Sequence, residues 1–173
     1  MAQNTNCALS IDALLRRNGV RYATVQPGRA QAGVGHGTVG AQRGQVAQVL
    51  LLADARGYAL AVIPKNRQLD LAALEKEFGR RFRLAGADEA ERLFPGLPLR
   101  ALPPICSCGQ VDTYLEQSLV QLCDVFLETS DPRVMVRLDG ESFRRLFYGA
   151  WCGQISHASA EARASAGAHR LGQ

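Results

Sequence analysis

The stretch of residues 48–104 constrains the fold of this chain most, because strand, turn and helix signals follow one another there in close order. Residues 49–52 form a short apolar run, which is typical of a buried strand. Residues 54–57 favour a turn and end in a glycine, and residues 58–63 return as a second apolar run that Pro64 stops. The two runs therefore predict an antiparallel β-hairpin.

A capped helix is predicted soon after the hairpin. Asp70 can accept a backbone N–H at its start, and Gly79 can take the left-handed conformation that ends it. Leu71, Leu74 and Phe78 fall on one face at helical spacing, so we expect the helix to pack by that face.

Similar signals predict the other elements of the chain. In chain order they are a helix capped by Ser10, a strand at residues 20–25, a short strand at 82–84, a helix at 88–94, an extended segment at 97–104, a short helix or turn at 114–122, strands at 125–127 and 134–136, and a helix capped by Asp139.

Two segments differ in composition from the rest of the 173 residues, a length that suits one domain. Residues 26–44 carry six glycines and almost no large apolar side chain, which predicts a mobile loop or a flexible lid over a pocket. No Gly-Lys-Ser/Thr follows these glycines, so a nucleotide-binding P-loop is not indicated. Residues 151–173 are rich in Ala, Ser, Gly and His. We expect a domain over residues 1–150 and a disordered tail over 151–173.

The charge balance permits a polyanionic partner without requiring one. The net charge is +4 and the pI is about 9.0. Small groups of arginines could contact nucleic acid or could simply be solvated helix faces. No apolar run approaches the roughly 20 residues that cross a bilayer, and the first residues lack an export pattern. The sequence therefore predicts a cytoplasmic protein without membrane contact, whose thiols are reduced.

The five cysteines do not form a recognisable framework. Cys106 and Cys108 are a close pair without a second Cys/His pair at zinc-finger spacing, so a loop with two thiols is favoured over a metal site. Cys123 lies near Leu122 and Val125 and is predicted to be a buried free thiol.

Several passages of the chain, taken in order, match those of one family. They are residues 45–51, residues 60–64 with 69–71, residues 83–85 with Glu89, Phe94 and Pro95, residues 100–104, residues 118–119, and residues 124–127. The first four correspond to an Ala-Lys-Thr-Leu-Val strand, a Val-Pro … Leu-Asp-Leu passage, the next strand and helix, and a Gly-x-x-Pro-Pro corner. On these passages the chain resembles the YbaK/prolyl-tRNA-editing family, also called the aminoacyl-tRNA deacylase domain.

The resemblance implies a mixed α/β fold, with a strongly curved, largely antiparallel sheet surrounded by helices. It also implies hydrolysis of amino acids wrongly attached to tRNA, in trans or as an insertion in prolyl-tRNA synthetase, and hence a role in translation fidelity. The implied partner is the 3′ end of aminoacyl-tRNA, with no metal and no cofactor. Attack on an ester needs an oriented nucleophile and stabilisation of the developing oxyanion.

The resemblance assigns two catalytic positions, Gln48 and Arg100. The family's lysine, which engages the negatively charged tRNA end, falls on Gln48, and glutamine brings hydrogen bonds but no charge. The corner glycine falls on Arg100, whose guanidinium adds bulk but could restore the lost positive charge. His36 in the long loop could supply an imidazole, or it could lie in solvent.

Further substrate-binding residues are implied on the first strand, in the corner and in a later turn. They are Tyr22, Gln26, Ala101, Leu102, Pro103, Pro104, Ser130 and Asp131. A family histidine falls on Gln26, and a turn of the Gly-Ser/Thr-His type falls on Ser130, Asp131 and Pro132. Tyr22 could line the pocket or pack in the core. Asp131 could orient a ligand amine or only form the turn.

Two functions follow from these positions. One is a deacylase of mischarged aminoacyl-tRNA acting in trans. The other is a binding or regulatory module on the same scaffold, with a degenerate pocket that recognises an aminoacyl-adenosine-like ligand or a protein partner. A zinc protein is a more distant third. Both main hypotheses expect the Gln48 side chain and Pro103 to meet across a common cavity.

Overall fold

A computed structural model describes residues 9–26, 44–106 and 111–159. The helices and strands are, in chain order, α1 (Ile11–Arg17), β1 (Ala23–Val25), β2 (Val46–Asp54), β3 (Gly57–Pro64), β4 (Arg67–Leu69), α2 (Leu71–Phe78), β5 (Arg83–Leu84), α3 (Ala87–Leu93), a 3₁₀ turn (Leu99–Ala101), β6 (Asp112–Glu116), α4 (Gln117–Val120), β7 (Asp124–Glu128), β8 (Met135–Asp139), α5 (Gly140–Leu146), β9 (Trp151–Gly153) and β10 (Ser156–Ala158).

One mixed sheet organises the molecule. Its strand order is β1-β8-β7-β2-β3-β6-β9, with β5 paired to β2, and β10 and β4 form a separate pair. The β2/β7, β3/β6 and β6/β9 pairs are parallel, and the other pairs are antiparallel. The predicted mixed α/β fold with a largely antiparallel sheet is therefore confirmed.

The predicted hairpin is present as β2 and β3. Asp54 pairs with Gly57 at its tip, and the backbone N–H of Arg56 donates to Asp54 Oδ1 at 2.8 Å. Gly57 has a φ of 132°, which side-chain-bearing residues rarely adopt. The turn chemistry thus fixes the register of the two longest strands.

The predicted helix caps also form. Asp70 Oδ1 accepts from the Ala73 N–H at 2.9 Å at the start of α2, and Gly79 ends that helix with a φ of 67°. Ser10 caps α1 and Asp139 caps α5 in the same way, through side-chain oxygens that accept backbone N–H groups.

Successive side chains of a strand point to opposite faces of a sheet, so β2 contributes to two cores. Val49 and Leu51 face the first core, where Leu15, Phe94 and Phe143 come from α1, the end of α3 and α5. On the other face, the second core contains Leu52, Ile63, Leu74, Phe82 and Ile155. This division decides where the polar residues of β2 lie.

Residues 114–122 differ from the predicted short helix or turn. Residues Asp112–Glu116 form β6, and only residues Gln117–Val120 are helical. Tyr114 and Leu115 are buried because β6 lies between β3 and β9, a pairing partner on each side that sequence periodicity alone does not reveal.

The expected disordered tail is corrected for residues 151–158, which form β9 and β10. Glu116, only 1% exposed, accepts from the Ile155 N–H at 2.9 Å and from the Ser156 hydroxyl at 2.8 Å. These bonds to a buried carboxylate hold a segment whose composition is poor in large apolar residues. Residues 160–173, and residues 27–43 of the expected loop, lie outside the described part of the chain.

Three smaller expectations also need correction. The first strand is shorter than predicted and begins at Ala23, while Val20 is buried without belonging to a strand. The segment predicted to be extended contains the 3₁₀ turn. Cys123 is exposed, so the prediction of a buried thiol was wrong. No helix in the described ranges is long and apolar enough to span a bilayer.

Candidate functional site

Arg100 and Ser130 come together although thirty residues separate them in the chain. The 3₁₀ turn buries Ala101 and leaves Arg100 exposed. The Arg100 Nη2 group donates to the Ser130 carbonyl at 2.7 Å. Two segments that the resemblance assigns to substrate binding thus meet at one place.

The turn that receives Arg100 is held by its own side chains. The Thr129 hydroxyl lies 2.9 Å from the carbonyl oxygens of both Asp131 and Val134. Arg133 donates hydrogen bonds to the Asp131 carboxylate through both Nε and Nη2. The hydrogen bonds of the Arg133 guanidinium and backbone N–H, with a smaller effect of Arg100, lower the pKa of Asp131 to about 2. Asp131 is therefore a carboxylate at neutral pH.

The Pro-Pro corner is fixed by burial. Leu102 packs in the first core, and Pro103 and Pro104 are buried beside it in the chain. The Pro104 carbonyl accepts from the Thr113 hydroxyl at 3.4 Å. The corner therefore has a defined position from which Arg100 extends into solvent.

Gln48 lies on the other face of the sheet. It pairs with Ile63 of the second core, whereas Leu102 packs against the first core. Its amide Nε2 donates to the Arg67 carbonyl at 3.3 Å. Among the described residues, the polar contact of Gln48 is thus with β4, and the sheet lies between its side chain and Leu102. The structure does not bring residue 48 to the corner, contrary to the prediction from the sequence.

Lys65 is a further cation at the end of the sheet where β7 ends, and it is not among the predicted site residues. Its N–H donates to the Val46 carbonyl at 2.7 Å and so extends the hairpin ladder past Pro64. Its Nζ lies 2.5 Å from Glu128 Oε1, at the last residue of β7 and two residues before Ser130. Composition offers the only signal for this residue, since the whole sequence holds just two lysines.

Tyr22 lies at the opposite end of the same strands. It lines a cavity of about 290 Å³ together with Arg21, Ala23, Asp124, Arg137 and Asp139. Its hydroxyl contacts Asp12 and Arg16 of α1. Since Asp124 begins β7 and Ser130 follows its end, the structure does not bring Tyr22 to Arg100.

Gln26 is placed at the end where Arg100 lies. It is exposed and follows β1 directly, and the last residue of β1, Val25, pairs with Met135. Met135 comes just after the turn that contains Ser130 and Asp131. Of the predicted residues, Gln26, Arg100, Ser130 and Asp131 therefore share one end of the sheet.

The described residues contain no group of three or more His, Cys, Asp or Glu side chains that could hold a metal ion. Cys106 is disulfide-bonded, so the expectation of a loop with two free thiols does not hold for it. Cys108 and His36 lie outside the described residues. His157 lies 3.8 Å from Asp70, at the start of α2.

A model of the family described as "Aminoacyl-tRNA editing domain" matches residues 26–146, and no curated protein sequence matches the chain. Among solved structures, a candidate trans-editing enzyme for prolyl tRNA synthetase is 21% identical, with a TM-score of 0.67; the match covers 91% of this chain and 99% of that one. The hypothetical protein APE2540 is 18% identical, with a TM-score of 0.68, and the match covers 85% and 99%.

A candidate signal transduction protein from Marinobacter aquaeolei VT8 is 24% identical, with a TM-score of 0.64. The match covers 83% of this chain and only 29% of that protein, so the chain spans less than a third of its length. At these identities the solved structures support the fold, whereas the family model covers more than half of the sequence. The chain therefore belongs to the aminoacyl-tRNA editing domain family, of the YbaK type.

Proposed function

We propose that the protein is an aminoacyl-tRNA deacylase that hydrolyses mischarged aminoacyl-tRNA in trans. The 3′ end of the charged tRNA binds at the end of the sheet where Arg100 contacts Ser130. Family membership supports the reaction class, and the solved structure named for trans-editing shares the fold over nearly all of its length.

The observation that carries this proposal is the Arg100–Ser130 contact. Arg100 is exposed, and among the described residues it bonds a backbone carbonyl and forms no ion pair. A guanidinium has five N–H donors in a fixed fork, so one bond to Ser130 leaves donors for a phosphate or for a developing oxyanion. Asp131, kept ionised by Arg133, supplies a negative charge beside it for the ammonium group of the aminoacyl moiety.

The reaction needs few parts from the protein. Water attacks the ester carbonyl carbon and gives up a proton, the tetrahedral oxyanion forms, and the bond to the ribose oxygen breaks as that oxygen takes up a proton. The products are a free amino acid and uncharged tRNA. Donors already fixed near the carbonyl oxygen lower this barrier because they need no reorganisation as charge develops. Arg100, anchored through Ser130, is positioned for that role.

The proposal is tested with a panel of mischarged tRNAs and a measurement of amino acid release. Arg100→Ala should lower kcat/KM by about 10- to 100-fold, since a hydrogen bond to a charged group contributes roughly 1.5–3 kcal/mol. Arg81→Ala is the matched control, because Arg81 is an exposed arginine that pairs with Glu75 near α2. Equal activity of the two variants would show that Arg100 does not contribute to the reaction.

A catalytically degenerate binding module is the second candidate. Two observations favour it. The amide of Gln48 is engaged by Arg67, and the one histidine among the described residues, His157, lies beside Asp70. The same assay separates the candidates. Tight binding of uncharged tRNA or of an aminoacyl-adenosine analogue without any amino acid release, across the whole panel, identifies the module.

A further inference from the structure

We propose that Lys65 binds the 3′-terminal nucleotide of the tRNA, as a second cation opposite Arg100. This inference rests on the proposed function, because it names a binding residue for the same substrate. It assigns a role to a side chain that neither the sequence pattern nor the family motifs single out.

The position of Lys65 follows from the hairpin register. Gln48 pairs with Ile63, and the N–H of Lys65 bonds the Val46 carbonyl, so Lys65 is two residues beyond Ile63 on the same face. Lys65 and Gln48 are therefore diagonal neighbours, with a typical separation of about 7–8 Å in such pairs. Lys65 is thus a cation on the face of Gln48, at the level where β2 begins.

Lys65 directly follows β3, and Arg100 lies in the 3₁₀ turn. Both side chains contact residues at the end of β7 or just after it. The ammonium contacts Glu128, and the guanidinium contacts Ser130. Glu128 and Ser130 are two residues apart in the chain, so their Cα atoms lie at most about 7 Å apart. A single nucleotide placed over the end of β7 can therefore reach both cations.

The Lys65 ammonium has capacity left for a ligand. Its side chain is 47% exposed, against 23% for Glu128. An ammonium has three donors, and one of them is used by Glu128, which leaves two for phosphate or ribose oxygens. Glu128 acts as a positioning residue, since it holds a long flexible side chain at the end of β7.

The lysine content makes the inference directly testable. Lys65 and Lys76 are the two lysines of the sequence, and Lys76 is exposed on α2. Periodate converts the terminal ribose of tRNA to a dialdehyde, which condenses with a nearby amine and loses water. Cyanoborohydride then reduces the imine to a stable amine. Peptide mapping identifies the labelled residue.

We expect the label on Lys65 and not on Lys76, and we expect excess unmodified tRNA to suppress it. Equal labelling of the two lysines, or labelling of neither, overturns the inference. Hydrolysis without a label on Lys65 would contradict tRNA binding by Lys65 but would still support the proposed function. A label on Lys65 without hydrolysis would support tRNA binding by Lys65 and contradict the proposed function.

Salt dependence provides a second measurement that does not need activity. Lys65→Met should weaken tRNA binding several-fold at low salt and reduce the slope of log K against log salt by about 0.7, the value for one phosphate contact of a single strand. Lys76→Met is the matched control and should leave the slope unchanged. Thermal melting should show that both variants are folded. Equal slopes for the two folded variants would then contradict a contact between Lys65 and a phosphate.

Discussion

Arg100 donates to the backbone carbonyl of Ser130 at 2.7 Å, which ties the corner before β6 to the turn after β7. Because the acceptor is a main-chain oxygen, the bond does not neutralise the guanidinium. The corner is rigid behind it, since Ala101 and Leu102 are 3% and 2% exposed. A positive charge is therefore held at a fixed place on the surface, close to the end of β7. Lys65 contacts Glu128 at the same end of that strand.

The first prediction concerns moving a positive charge from residue 65 to the neighbouring residue 48. Lys65→Met should weaken tRNA binding, and Gln48→Lys in the same chain should restore much of it, because residues 48 and 65 are diagonal neighbours on one face. In the wild-type background, Gln48→Lys should increase affinity only a few-fold. Binding of uncharged tRNA at several salt concentrations measures both effects. The same weak binding in Lys65→Met with and without Gln48→Lys would show that residue 48 does not face the tRNA.

Local signals in the sequence predict the elements around this site well. The turn at Gly57 and the caps at Asp70 and Gly79 depend on residues close in the chain, and all three form as expected. Strand alternation also predicts that Gln48 and Val49 point to opposite faces. The sequence cannot tell which of those faces the corner packs against, because that depends on contacts between distant segments.

The same limit explains why Lys65 is missed. Its partner Glu128 is 63 residues away, and the parallel pairing of β2 with β7 that brings them together leaves no local pattern. The family motif draws attention to Gln48, where a charge is lost. The fold instead places a lysine directly after the adjacent strand β3, which a motif that covers one strand at a time cannot detect.

The second prediction contrasts two glycines without left-handed conformations. A Cβ at Gly140 would collide with the backbone carbonyl of Leu122, which cannot turn aside, so Gly140→Ala should destabilise the fold by about 1–3 kcal/mol. A Cβ at Gly153 would meet the carboxylate of Glu77, an exposed and flexible side chain, so Gly153→Ala should cost less than about 1 kcal/mol. Urea unfolding of both variants measures the difference, and a larger loss for Gly153→Ala would contradict this account.

The third prediction concerns the ion pair between Arg80 and Asp54, the last residue of β2 at the tip of the hairpin. Arg80 contacts Asp54 through Nε at 2.8 Å and Nη2 at 2.9 Å, and their side chains are 11% and 6% exposed. Arg80→Met should destabilise the protein by roughly 3 kcal/mol, because it leaves a buried carboxylate without its charged partner. Arg80→Met combined with Asp54→Asn should be more stable than Arg80→Met alone.

Arg137→Met, which removes the partner of a more exposed carboxylate at Asp124, is a suitable comparison for Arg80→Met. Its loss in urea unfolding should be smaller, because water can solvate the carboxylate that remains. An equal loss in the two variants would mean that burial of the Asp54 carboxylate does not determine the effect.

The fourth prediction uses pH. Arg83 binds both carboxylate oxygens of Glu89 at 2.8 Å, and the Gly86 N–H donates to the same group at 2.9 Å. These bonds lower the pKa of Glu89 to about 2, from about 4.3 in an unfolded chain. The stabilisation is therefore complete above about pH 4.3 and is lost as the pH falls towards about 2.

Glu89→Gln should accordingly lower the melting temperature at pH 7, and its difference from the wild type should shrink as the pH falls below about 4.3. Asp88→Asn removes the same charge from the first turn of α3, where the Asp88 carboxylate makes no hydrogen bond to the described residues. Its effect at pH 7 should be smaller, since only the favourable position near the helix start is lost. A melting-temperature difference for Glu89→Gln that stays constant from pH 7 to pH 3 would mean that the contacts of Arg83 and Gly86 do not depend on the charge of Glu89.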